Sequence, residues 1–286
     1  MDNERILLTK DDHMLIDLPE MIREKIFSYV KGPDMLVLTE VCQSWNSYIT
    51  KHRIAVKLEQ WDKKSKTIYS SEALQVIGQS NREFQNIHIM NYCSENLPFL
   101  DQVVALKFKW KSIKITRFYM NQRLLQFIEE HSKHLIELQM IGETTNDVVD
   151  HQLIELPMLK VLQMDNYHYS KKTLNSLYFK GLVKLKELIL PLKDLNELLN
   201  NDESLINFDL CKINLKVARA FTPEIDFKKV AKFLLTQRSM VHIHLEMFLD
   251  ITKFADVWSK LRYLEYISYG KQKTVLNYSK PKDVSF

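Results

Sequence analysis

The chain has 286 residues, 45% of them hydrophobic, with 40 Lys and Arg against 36 Asp and Glu for a formal net charge of +4. That length holds a small module and one larger domain, and no run of about 18 apolar residues is present to cross a bilayer as a helix. Acidic and basic side chains are interspersed, which argues against a basic arm for nucleic acid.

The charged start MDNERILLTKDDH is unlike a secretory signal, so a cytoplasmic or nuclear protein is expected. Next comes LPEMIREKIFSYVKGPDMLVLTEVCQSWNSYI, which reads as a short helical hairpin. Pro19 sits at a helix start, where its missing N–H costs nothing, and Leu18, Ile22 and Ile26 follow along one face, widened by Phe27 and Val30. Gly32 and Pro33 end that helix, and Asp34 is placed to cap the next. There Leu38, Val41, Cys42, Trp45 and Ile49 share a face with Trp45 at its centre. Two wide apolar stripes on so few residues exceed what the hairpin can bury by itself, so a partner is implied.

Leu18, Pro19, Ile26, Phe27, Val41, Cys42 and Trp45 give this stretch, residues 14–54, a pattern that resembles an F-box. Met21 and Arg23 depart from it, standing where the family usually has Glu and an aliphatic residue. The resemblance implies docking into the Skp-family adaptor of a cullin-based ubiquitin ligase. It makes Leu18, Pro19, Ile22, Ile26, Phe27, Leu36, Leu38 and Trp45 the candidate adaptor contacts. Residues 55–83, with Trp61 and the helix-like EALQVIGQ, are expected to form a connecting helical segment.

Beyond it a loose period is visible. The pattern apolar-x-x-apolar-x-apolar occurs at Phe84/Ile87/Ile89, Val103/Leu106/Phe108, Leu135/Leu138/Met140, Leu159/Leu162/Met164, Leu185/Leu188/Leu190, Leu205/Phe208/Leu210, Met240/Ile243/Leu245 and Leu264/Ile267/Tyr269. Most starts lie 19 to 26 residues apart, and helix-like stretches such as Leu124–Ile128 and Val230–Leu234 intervene. The closing i, i+2 pair is a strand period, which favours strands over the alternative of an all-helical solenoid. Residues 84–270 thus resemble leucine-rich repeats, although the Asn that such repeats place after the strand is absent. The expected fold class is α/β: a helical F-box followed by an irregular solenoid of short parallel strands with outer helices.

Side chains flanking each inward pair then face the concave side. They are Asn86, His88, Lys107, Lys109, Glu137, Gln139, Val161, Gln163, Asp165, Glu187, Asn207, Asp209, His242, His244, Glu246 and Tyr266. Among them His88, Lys107, Lys109, Glu137, Gln139, Asp165, Glu187, Asp209, His242, His244 and Tyr266 are the candidate substrate contacts. Glu137, Asp165, Glu187 and Asp209 suggest an acidic centre suited to a basic target.

Other patterns carry less. His242, His244 and Glu246 alternate on one strand face but lack further identifiable ligands, so no metal is expected. Cys42, Cys93 and Cys211 read as reduced thiols. No GxxxxGK[ST], GxGxxG or GxSxG occurs, so neither catalysis nor a cofactor is expected. KFKWKSIKITR, residues 107–117, alternates basic with aromatic or apolar residues and offers a remote nucleic-acid reading. Residues 271–286 read as a tail, with Val275, Leu276, Tyr278 and Phe286 able to anchor it. An F-box joined to a repeat array resembles a ligase substrate receptor, in which the F-box binds the Skp-family adaptor, the cullin is reached through it, and the repeats hold a protein target. The alternative is an adaptor-bound scaffold not linked to degradation.

Overall fold

The structure, a computed structural model, describes residues 18–30, 32–40, 43–52, 54–59, 70–80, 82–92, 97–144, 153–165, 177–201, 209–216, 225–245, 257, 260–261, 263 and 266–269. Asn207, Glu246, Trp61, Val41, Cys42, Cys93, Leu205, Phe208 and the tail 271–286 lie outside the described residues.

The N-terminal part is three short helices, not a two-helix hairpin: α1 (Glu20–Ser28), α2 (Gly32–Leu38) and α3 (Gln43–His52). Pro19 precedes α1, and its carbonyl accepts the N–H groups of Ile22 and Arg23 at 2.9 and 3.1 Å. Gly32 and Pro33 open α2 instead of merely closing α1, because proline is compatible with a first helical turn. Asp34 lies inside that first turn, where the helix dipole favours its charge, and not at the capping position ahead of it. A turn at Thr39–Glu40 divides the second amphipathic stretch into α2 and α3. Phe27, Met35 and Ile49 form a small core, with Val30, Leu38, Trp45, Tyr48 and Ile54 packed against it. Phe27 meets Trp45 edge-on at 5.9 Å and stacks on Tyr48 at 5.4 Å, contacts that add about 0.5–1.5 kcal/mol each to area burial.

The remainder is built on a nine-stranded parallel sheet whose spatial order is its sequence order. Its strands are β1 (Ala55–Glu59), β2 (Asn86–Tyr92), β3 (Ser112–Tyr119), β4 (Glu137–Thr144), β5 (Val161–Asp165), β6 (Glu187–Pro191), β7 (Lys212–Lys216), β8 (His242–Leu245) and β9 (Tyr266–Tyr269). Parallel neighbours need crossovers. Five come from α4 (Ser70–Gln79), α5 (Leu97–Ala105), α6 (Gln122–Glu130), α7 (Leu192–Asn201) and α8 (Phe227–Thr236). A chain that adds each strand beside the last is a solenoid-like arrangement.

Register explains the core. Val56, Ile87, Ile113, Leu138, Leu162, Leu188, Ile213 and Ile243 occupy one row across the sheet, and all are buried. Two positions along, Leu58, Ile89, Ile115, Met140 and Met164 form a second buried row, which Leu190, Leu215 and Leu245 continue. Helix stripes such as Leu124, Leu125, Phe127 and Ile128 of α6 and Val230, Phe233 and Leu234 of α8 join the same core.

Three expectations need correction. The segment taken as a helical joint contains β1, so the sheet begins immediately after α3. Val103 belongs to α5 and Leu106 and Phe108 to the loop after it, while the strand is β3, aligned on Trp110/Ile113/Ile115. Likewise β7 is aligned on Leu210/Ile213/Leu215, later than the Leu205-based triad. In both places two triads satisfy the pattern, and only pairing with neighbouring strands selects one.

Backbone hydrogen bonds link successive strands on their entry side. The Gln85 carbonyl accepts both Lys111 N–H (2.7 Å) and Ser112 N–H (3.1 Å). The carbonyls of Lys111, Ile136, Lys160, Lys186 and Cys211 repeat this with the two residues entering the next strand, so each repeat satisfies backbone donors of its successor. Near the C-terminal ends of β2, β3 and β4 the strands pass through left-handed residues, Asn91 (φ 55°), Arg117 (φ 53°) and Gly142 (φ 76°).

Candidate interaction surfaces

The helical unit divides its apolar residues between a core and an exposed set. Phe27 is 5% exposed and committed to the core, and Trp45 and Leu38 are half-buried against it. Leu18 and Ile26 are half-buried, while Pro19 and Ile22 are exposed. Leu36 is in α2. Sequence reasoning missed Met21 (77% exposed), Tyr29 (75%) and Val37 (63%), which with Ile22 (41%) leave apolar side chains of α1 and α2 in solvent. Their signal was only their identity, since a helical wheel does not say which stripe the third helix covers.

Arg23 is used internally. Its guanidinium lies over the Tyr48 ring at 4.7 Å, and the Tyr48 hydroxyl donates to Glu24 Oε1 at 2.8 Å. The Arg found in place of an aliphatic residue thus closes α1 onto α3 by a cation–π contact.

α3 passes almost directly into β1. Ile54 N–H donates to the Ile49 carbonyl at 3.1 Å, the Lys51 ammonium pairs with Glu83 at 2.7 Å, and the Asn86 amide reaches the Lys51 carbonyl at 3.4 Å. The helical unit is therefore joined to the sheet through its backbone and through its first two strands.

On the sheet, side chains between the buried rows point to the opposite, open face. One row runs Asn86, Ser112, Glu137, Val161, Glu187, Lys212, His242 and Tyr266, and the next Lys57, His88, Lys114, Gln139, Gln163, Ile189, Asn214 and His244. His88, Glu137, Gln139, Glu187, His242 and His244 thus fall on this face, Tyr266 of β9 is in register with His242, and Asp165 follows at the end of β5. Lys107 and Lys109 do not: they stand in the loop before β3, Lys107 with φ 56°. Asp209 precedes β7, where its carboxylate accepts Ser239 N–H at 2.8 Å and Ser239 Oγ–H at 2.6 Å. Those bonds, Ser239 Oγ first, hold its carboxyl below the usual carboxylate range, so this residue serves the backbone of the adjacent repeat.

The acidic centre expected from the sequence is neutralised. Glu187 pairs with Lys212 of the adjoining strand at 3.0 Å, Asp165 pairs with Lys216 across β6, and Lys186 lies 3.8 Å from Asp209. Glu137 accepts from Ser112 Oγ at 2.7 Å and from the Gln139 amide. Lys212 and Lys216 reach this face because β7 lies a few residues later than the Leu205-based triad predicts.

His88 and His242 of the open face are held below their ordinary range. For His88 and His242 burial is the main cause, followed for His88 by Lys114 and Lys57 and for His242 by Lys212 and His244. The His88 ring Nε2 lies 3.1 Å from Thr116 Oγ1. Among the described residues no group of three or more His, Cys, Asp or Glu side chains converges as a metal site. In 107–117 the aromatic residues are internal: Trp110 is fully buried, Phe108 lies 5.3 Å from it and Phe84 5.7 Å from Phe108. They offer no base-stacking platform. Among the described residues no helix is long and apolar enough to cross a membrane.

The F-box domain family model matches residues 15–57, which takes in all three helices and the first residues of β1. This supports an F-box protein, and F-box domains generally bind Skp-family adaptors. A search of curated proteins finds no match.

Proposed function

We propose that this chain is the substrate-recognition subunit of a cullin-based ubiquitin ligase. The F-box binds the Skp-family adaptor through the exposed side chains of α1 and α2, the cullin is reached through the adaptor, and the open sheet face holds a protein target. The strand-and-helix units, each closing on an apolar i, i+2 pair, are read as leucine-rich repeats.

The observation that carries this reading is the direct passage from α3 into β1 in a chain whose F-box match ends at that strand. A rigid connection sets the distance between adaptor and target. The protein would then act by proximity, raising the effective concentration of a target lysine at a charged conjugating enzyme, with no chemistry of its own. Leu18, Pro19, Ile22, Ile26, Leu36, Leu38 and Trp45 remain contacts to the adaptor in this reading, whereas Phe27 supports them from the core.

Size-exclusion chromatography of the chain with a Skp-family adaptor and a cullin tests it. The expected result is a ternary complex that forms only when the adaptor is present. Elution of the chain apart from the adaptor would overturn the reading.

A further inference from the structure

Charge on the open face is distributed unevenly. In β5–β7 each described lysine on the face meets a carboxylate, Lys212 with Glu187 and Lys216 with Asp165. In β1–β3 the arrangement is different. Lys57, His88 and Lys114 are direct cross-strand partners, so two ammonium groups flank an imidazole in one row. At the roughly 4.8 Å spacing of neighbouring strands each ammonium group stands beside the imidazole, and the two lysines lie about two strand spacings from one another. Neither Lys57 nor Lys114 forms an ion pair among the described residues.

The row continues with Gln139 and Gln163, so five consecutive strands present hydrogen-bond donors at one level and no carboxylate. Met90, Thr116 and Ile141, all half-buried, form the middle of the next level toward the strand ends, where the register places Glu59 on β1 and Asp165, already paired with Lys216, on β5. The face thus presents a line of donors beside a strip with two apolar side chains. The depression of His88 by Lys114 and Lys57, after burial, reports the same unrelieved positive potential.

We propose that the row Lys57, His88, Lys114, Gln139 and Gln163 binds an acidic peptide segment of a partner protein, laid across β1–β5 with its apolar residues against Met90 and Ile141. Carboxylates of the segment supply the counter-charges that this row lacks, while the amides of Gln139 and Gln163 add neutral donors. The proposal rests on the receptor reading, for which it names the class of target, and reverses the basic target that the sequence alone suggested.

The test uses fluorescence anisotropy with a fluorescein-labelled peptide of alternating Glu and Leu. The same peptide with Lys for Glu and a single-stranded DNA oligonucleotide serve as comparisons. Three proteins are measured: the parent chain, a Lys57→Glu/Lys114→Glu double variant, and a Lys232→Glu variant that alters charge on α8. The expected result is binding of the Glu peptide alone, weakened about tenfold or more in the double variant and unchanged in Lys232→Glu. In the parent, the His88 ring should also titrate at higher pH with the Glu peptide bound. Equal binding of the Lys peptide or the oligonucleotide, or retention of the Glu peptide by the double variant, overturns the proposal. Co-elution with the Skp-family adaptor is read separately on the same proteins. The double variant should retain it, so a failure of adaptor binding is distinct from a failure of the peptide site.

Discussion

Lys51, in the last turn of α3, meets Glu83, just ahead of β2, at 2.7 Å. The hydrogen bond from Lys51, then its charge, holds the Glu83 carboxyl below its usual range. Both side chains are substantially exposed, and such pairs contribute only about 0–1 kcal/mol. The connection of α3 to the sheet is therefore chiefly made by the backbone, through Ile54 N–H on the Ile49 carbonyl and the pairing of β1 with β2.

Inserting a Gly-Ser linker after Ile54 should decouple the two parts, whereas Lys51→Ala should not. Single-pair energy transfer between dyes on α1 and α6 is expected to give a narrow distribution for the parent and for Lys51→Ala, and a broad one for the insertion. Adaptor binding should be unaffected in all three.

Gly142 tests the left-handed position near the C-terminal end of β4. A Cβ built there meets Arg117 N at 3.5 Å, an ordinary contact, so space is not the obstacle. The obstacle is φ 76°, and Gly142→Ala should cost about 1 kcal/mol in urea unfolding. Asn91 is also left-handed, one strand away from Arg117, and Asn tolerates left-handed dihedrals better than Ala, so Asn91→Ala should destabilise in the same direction.

Asn121 joins β2 to α6. Its Oδ1 caps the helix by accepting Leu124 N–H at 2.8 Å, and its amide donates to the Tyr92 hydroxyl at 3.1 Å, with both residues buried. Loss of the cap and of a buried hydrogen bond should make Asn121→Ala cost about 2 kcal/mol. Gln237 acts similarly for a later repeat, accepting Leu210 N–H at 3.0 Å and donating to the Phe233 carbonyl at 3.2 Å. Gln237→Leu should cost about 1–3 kcal/mol by leaving the Leu210 N–H buried without a partner.

The fold was legible where one apolar triad stood alone. Ile87/Ile89, Leu138/Met140, Leu162/Met164, Leu188/Leu190 and Ile243/Leu245 fall on strands as their spacing indicates. It was lost near Val103 because Val103 of α5 and Leu106 and Phe108 of the loop after it form a spurious triad ahead of Trp110. β1 was missed because its Val56 and Leu58 lack a leading apolar residue at position 53, which is Arg. The site followed the fold. Glu187 was visible from its strand, but its partner Lys212 depends on the register of β7, which sequence spacing does not determine. In the F-box, residue identities marked the domain, while packing against α3 decided that Phe27 is core and Ile22 is surface.

Stability should fall as the pH drops below about 6.5. His88, His131 and His242 are all held below the ordinary imidazole value of about 6.5, in each case chiefly by burial. Below that value the unfolded chain binds more protons than the folded one, so the stabilisation present above it is lost on acidification toward the folded-state pKa values. His131 lies edge-on to Phe127 at 5.0 Å, its Nε2 buried without a hydrogen-bond partner among the described residues. Thermal melts between about pH 7.5 and 5.5 should show a falling Tm, and His131→Phe should flatten the slope by removing one of the three contributions.

The claim at the centre of this account is that α1 and α2 present an adaptor-binding face while Phe27 lies behind it. Isothermal titration calorimetry of a Skp-family adaptor into the parent chain and into an Ile22→Asp/Val37→Asp double variant tests it most directly. Both positions are exposed, so the variant should keep the parent's circular dichroism. The account predicts that it binds at least about tenfold more weakly, a loss of about 1.4 kcal/mol or more. Parent-like affinity in the folded variant would contradict it.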